Sequence, residues 1–116
     1  SDTMEYGTLQ ARDADGNPLP VGPVLYATNK HIAEDCFTPN KDFLACKAED
    51  KNPRACLQQG ERVVSCVKAL LARIDKSCGK QLTTYSVCLE KNHYKYDKCR
   101  KEQEAFSACS PLPAAP

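Results

Sequence analysis

Eight cysteines, at positions 36, 46, 56, 66, 78, 88, 99 and 109, constrain this chain more than any other feature. They form four pairs, Cys36/Cys46, Cys56/Cys66, Cys78/Cys88 and Cys99/Cys109, each with nine residues between its members, so the motif C-x9-C occurs four times. A second repeat runs inside the first: seven residues after each leading cysteine stands Phe43, Val63, Tyr85 or Phe106. Residues seven or three apart share a helix face. Each motif therefore places two thiols and an apolar side chain along one side of a helix. The two thiols are about 15 Å apart along the axis, beyond the roughly 7 Å between Cα atoms that a disulfide tolerates, so each must bond a cysteine of a neighbouring helix. Two antiparallel helices joined by a short turn bring first to fourth and second to third. The expected bridges are Cys36–Cys66 with Cys46–Cys56, and Cys78–Cys109 with Cys88–Cys99.

The cross-links answer a size problem. A chain of 116 residues divided into small hairpins buries too little apolar surface to fold securely unaided. Closing a loop of about 30 residues contributes roughly 3–4 kcal/mol in the chain-entropy model, and a loop of about 10 somewhat less. Structural disulfides call for an oxidising compartment. The first residues, Ser-Asp-Thr-Met-Glu-Tyr-Gly, have neither the basic start nor the apolar core of a secretory leader, and Arg12 is the one arginine before residue 30, unlike a matrix transit peptide. The mitochondrial intermembrane space is the expected location. No apolar run approaches the ~20 residues of a membrane span. Charge is uneven, −4 over residues 1–35 and +5 over the rest, an imbalance that a solvated surface explains without nucleic acid.

The fold class expected is all-α, two tandem disulfide-stapled hairpins with extended ends. Residues 1–23 read as an extended tail, because Pro18, Pro20 and Pro23 oppose a helix; it is expected to order only along partners in an assembly. The first hairpin is expected over 24–76. It opens with a helix up to Cys36, breaks near Thr38 (an N-cap before Pro39), and turns at Asp50–Pro53 with Asn52 as cap. Its second helix carries a buried stripe of Val63, Val67, Leu70 and Ile74. Gly79 is expected to cap that helix, and the second hairpin occupies 77–109, turning at Asn92–Lys95, with Leu82, Tyr85, Leu89, Tyr96 and Phe106 inward. Residues 110–116 read as a short extended end.

The chemistry expected is structural. A metal site needs closely spaced ligands such as C-x2-C, a redox catalyst a reactive close pair, and the chain has neither; His31 and His93 fall in different hairpins. No catalytic residue, cofactor, metal site or small-molecule substrate is expected. The basic and aromatic stretch from His93 to Lys101 reads as a turn and a solvated helix face rather than a nucleic-acid surface.

The four C-x9-C pairs resemble the coiled-coil-helix–coiled-coil-helix proteins of the mitochondrial intermembrane space, most of which have two pairs. Three stretches, Pro39-Asn40-Lys41-Asp42-Phe43, Asn52-Pro53-Arg54-Ala55-Cys56-Leu57 and Cys99-Arg100-Lys101-Glu102-Gln103-Glu104-Ala105-Phe106, are similar to the alpha subcomplex subunit 8 family of accessory subunits in mitochondrial respiratory complex I. The likeness covers roughly Asp15 to Cys109, and Gly16-Asn17-Pro18-Leu19-Pro20 with Lys30-His31-Ile32 is most similar to plant and green-algal members. The resemblance implies a non-catalytic subunit, peripheral to the inner membrane on its intermembrane-space side, whose partners are other complex I subunits and the disulfide relay that oxidises it on import. Phe43, three residues before Cys46, resembles the relay's docking signal. Animal members continue well past the last cysteine, whereas this chain ends at Pro116, so contacts made by their longer ends do not carry over. Three rival classes each lack a needed element. Copper metallochaperones of the same hairpin class use adjacent cysteines, secreted eight-cysteine lipid carriers use Cys-Cys and C-x-C, and disulfide-exchange enzymes need an easily reduced pair.

Overall fold

The structure, a computed structural model, describes residue 14 and residues 16–112. Among these it is helical without a strand: α1 (Gly22–Ala27), α2 (Asn29–Asp35), α3 (Phe37–Glu49), α4 (Leu57–Lys91) and α5 (Arg100–Cys109), with 3-10 turns at Pro53–Cys56 and Tyr96–Cys99 leading into α4 and α5. The tail expected over 1–23 lies mostly outside the described residues, as does 113–116. Where it is described, one expectation changes. Helix α1 begins at Gly22, with Pro23 in its first turn, where a missing N–H leaves no helical bond unmade. Pro18 is buried.

Helices α1, α2 and α3 form one rod bent at two joints. Thr28 (φ −107°, ψ 11°) and Cys36 (φ −111°, ψ 25°) leave helical geometry, yet their carbonyls still accept from Ile32 N and Asn40 N, at 2.9 and 3.2 Å. The Thr28 hydroxyl, fully buried, donates to Val24 O at 2.8 Å. The break expected near Thr38 thus falls two residues earlier. Cys36, not Thr38, precedes the helix, and Pro39 sits within the first turn of α3, where it blocks no bond. The following turn is as the sequence suggests: Asn52 Oδ1 accepts from Arg54 N at 3.1 Å and Pro53 opens the 3-10 turn.

Helix α4 is the axis of the molecule. The stop expected at Ser77–Gly79 is only a kink: Cys78 alone leaves helical geometry (φ −131°, ψ 25°) and the helix resumes to Lys91. Gly79 is therefore no cap; a Cβ there would approach Asp75 Oδ1 to 2.8 Å. The N-terminal part of α4 pairs with α3 as the first hairpin, and the part beyond Cys78 pairs with α5 as the second. Its buried residues, Leu70, Leu71, Ile74, Cys78, Leu82, Tyr85 and Leu89, meet Val24 and Ala27 of α1 and Phe106 of α5 in one core. Full burial of such a side chain contributes about 1.5–3 kcal/mol.

That core is lopsided. Helix α1 lies on the second hairpin, its Tyr26 ring stacked 4.5 Å from Tyr94, so this hairpin is a three-helix unit. Among the described residues the first hairpin has no third helix. None of α3 is buried, and Val63 and Val67, expected in the buried stripe with Leu70 and Ile74, are only half-buried. Residues 24–35, expected to belong with the first hairpin, touch both: Tyr26 and His31 pack on Tyr94 and Phe106 of the second, while Asp35 pairs with Arg73 of the first at 3.4 Å.

Candidate functional site

The four bridges are the chain's chemical signature. They join Cys36 to Cys66, Cys46 to Cys56, Cys78 to Cys109 and Cys88 to Cys99, with Cα–Cα distances of 5.8, 6.0, 5.9 and 6.0 Å. All eight cysteines are taken up. Each bridge couples two kinds of cysteine. The leading members, Cys36, Cys56, Cys78 and Cys99, are at most 1% exposed. All four leave helical geometry in the same way, with φ between −131° and −111° and ψ between 17° and 28°. The trailing members, Cys46, Cys66, Cys88 and Cys109, lie within helices and are half-buried. The repeat C-x9-C thus specifies a bend, a buried sulfur and then a helix whose far end offers the second sulfur to its neighbour.

Both turns are closed by backbone-binding side chains. Asp50 Oδ1 accepts from Asn52 N at 2.9 Å in the first. In the second, Asn92 Nδ2 donates to Cys88 O at 2.8 Å. His93 (φ 55°) and Tyr94 (φ 62°) then take left-handed geometry, which costs a non-glycine residue roughly 1–2 kcal/mol. The Tyr26–Tyr94 stack and the 2.7 Å bond from Tyr94 N to Leu89 O offset that cost.

The two histidines are far apart in role. His31, 8% exposed, packs its ring 5.1 Å from that of Phe106. Its Nε2 lies 2.7 Å from Ser110 O; a carbonyl only accepts, so this nitrogen carries the proton. His93 is exposed in the turn. Among the described residues no three His, Cys, Asp or Glu gather as a metal site would require, and no helix is long and apolar enough to cross a membrane.

Two concave surfaces flank the bridges. One, on the second hairpin, holds about 300 Å³ between α1–α2 and the face of Tyr85, Arg100, Gln103 and Phe106. Beside it Tyr96 Oη donates to Tyr26 O at 3.1 Å and accepts from Asn29 Nδ2 at 3.3 Å. Burial pushes the Tyr85 and Tyr96 hydroxyls above the usual phenol range; the neighbouring Tyr96 and Tyr26 hydroxyls respectively add to this. The other, on the first hairpin, is an open groove of about 660 Å³ lined by Phe43, Leu57, Gly60, Val63 and Val64. Gly60 lets the Phe43 ring lie close, since a Cβ there would meet Phe43 Cε1 at 3.3 Å. The sequence reading singled out Phe43 and Val63 but missed Leu57, Gly60 and Val64. The signal was present: at the matching positions after Cys99 stand Arg100, Gln103 and Ser107, so the first hairpin is the more apolar copy.

Residues 71–111 match the family described as CHCH-CHCH-like Cx9C, IMS import disulfide relay-system. Two Arabidopsis thaliana proteins, NADH dehydrogenase [ubiquinone] 1 alpha subcomplex subunits 8-B and 8-A, are 44% and 42% identical over 102 residues. These alignments take in 88% of this chain and 96% and 94% of the relatives. The NADH-ubiquinone oxidoreductase 20.8 kDa subunit of Neurospora crassa is 34% identical over 80 residues, which are 67% of this chain and 44% of that protein. With this identity spread along nearly the whole of the Arabidopsis relatives, the chain belongs to the NADH dehydrogenase [ubiquinone] 1 alpha subcomplex subunit 8 family.

Proposed function

We propose that this chain is a non-catalytic accessory subunit that supports the assembly and stability of mitochondrial complex I, held on the intermembrane-space face of the membrane arm and peripheral to the inner membrane. The observation that carries the reading is the 44% identity running through 96% of the Arabidopsis 8-B subunit. A relative matched end to end shares its whole architecture, not one module of it. The consumption of every thiol in a bridge supports a structural role, and an oxidised scaffold suits a compartment that installs disulfides. We propose the same four bridges as those formed on import, with the two hairpins meeting at Cys78 as the units that brace neighbouring subunits.

Removing the chain from its cells tests the role. In-gel NADH dehydrogenase activity at the mass of complex I should fall while other respiratory complexes stay constant; unchanged complex I refutes it. Protease added to mitoplasts, but not to intact mitochondria, should digest the chain. Protection in mitoplasts refutes the intermembrane-space placement.

A further inference from the structure

The internal repeat shows what is missing from the first hairpin. Aligning cysteine on cysteine (Cys36 on Cys78, Cys46 on Cys88, Cys56 on Cys99, Cys66 on Cys109) places Phe43, Leu57, Gly60, Val63 and Val64 on Tyr85, Arg100, Gln103, Phe106 and Ser107. Those two sets line the two concave surfaces, so the surfaces are the same face of the same repeat. Their burial differs sharply. In the second hairpin Tyr85 and Phe106 are 2% and 1% exposed, because α1–α2 crosses the face and seats His31 on Phe106. In the first hairpin Phe43 and Val63 are half-buried, and Leu57 and Val64 are 60% and 50% exposed. The uncovered copy is also the more apolar one. Leucine replaces arginine, valine replaces serine, and glycine replaces glutamine, letting the Phe43 ring lie close against α4.

We infer that the groove of Phe43, Leu57, Gly60, Val63 and Val64 is the seat of an amphipathic helix from another complex I subunit, which crosses the first hairpin as α1–α2 crosses the second. The inference rests on the subunit reading given above. The occupant is a helix because the repeat carries its own example: two antiparallel bridged helices complete their core with a third. It comes from another chain because, among the described residues, the helices that could cross such a face, α1–α2, already cover the second hairpin. Its contact face carries a bulky aliphatic or aromatic anchor, set over Val63 as His31 is set over the equivalent Phe106, with smaller apolar residues a turn to either side. This is helix-in-groove recognition, in which a few anchors at helical spacing supply most of the binding.

The test gives the first hairpin the residues of the second. In the full chain, Leu57→Arg with Val64→Ser changes two exposed positions, so melting temperature and non-reducing electrophoretic mobility should match the unchanged chain. Recovery in complex I, after import into mitochondria and native separation, should fall about ten-fold or more. In parallel, a photo-crosslinking amino acid at Val64 should yield an adduct with a helix of another complex I subunit. Undiminished assembly of the double variant overturns the inference, as does an adduct with lipid, with a second copy or with this chain itself. If the unchanged chain is absent from complex I, the subunit reading fails and takes this inference with it. If the unchanged chain and the variant are recovered equally, only the groove is refuted.

Discussion

Phe106 and Val63 hold equivalent places in the repeat, and truncating each to alanine measures how differently the two hairpins are built. Phe106 is 1% exposed, with His31 and Tyr85 rings 5.1 and 5.9 Å from its own. Phe106→Ala leaves a cavity walled by α2, α4 and α5, and core truncations of this kind cost about 3–5 kcal/mol. Val63→Ala removes two methyl groups. At about 0.8 kcal/mol per buried carbon, halved for a half-buried site, it should cost about 0.8 kcal/mol. The ratio is therefore roughly five to one. Urea unfolding with the bridges intact, followed by far-ultraviolet circular dichroism, reads both values. Equal losses, or a larger loss at Val63, would refute the claim that the first hairpin stands without a completed core.

Three further outcomes follow from the geometry. Replacing Cys78 and Cys109 by serine opens a loop spanning 31 residues and should cost roughly 3–4 kcal/mol, against about 2–3 for Cys46 with Cys56; denaturation of the two double variants compares them. His93→Gly relieves left-handed backbone at an exposed site and should stabilise by about 0.5–1 kcal/mol, whereas Tyr94→Gly should destabilise through loss of the Tyr26 stack, both read as melting shifts. Tyr85 and Tyr96 titrate higher in the folded chain than in the unfolded one. Above about pH 10 the unfolded state therefore loses protons that the fold retains, so stability should be full below that pH and fall as pH rises towards the folded values. Tyr85→Phe should flatten the decline.

How far the sequence disclosed this depended on what each residue type can signal. Cysteine spacing disclosed the all-α hairpin architecture, because a nine-residue gap on a helix leaves its sulfurs few ways to meet. Asn52-Pro53 disclosed the first turn because a cap followed by a fixed φ is a local device. The joints were less visible. Thr38-Pro39 carries the stronger N-cap signal, yet the bend falls at Cys36, whose tether to Cys66 holds it in the bridge region. Ser77-Cys78-Gly79 reads as a helix end, yet the helix continues, because the core under Ile74, Cys78 and Leu82 spans the kink. Periodicity put Val63 and Val67 in line with Leu70 and Ile74 but could not say which part of the stripe has a helix over it. That depends on where residues 24–35 lie, a tertiary fact that local pattern does not encode.

The claim that this chain braces complex I is tested most directly by native separation of mitochondrial complexes with mass spectrometry of each band. The account predicts that peptides of this chain peak with the subunits of complex I and follow them when the complex is resolved from its neighbours. A chain found only at its own small mass, or in a band without complex I subunits, would contradict it.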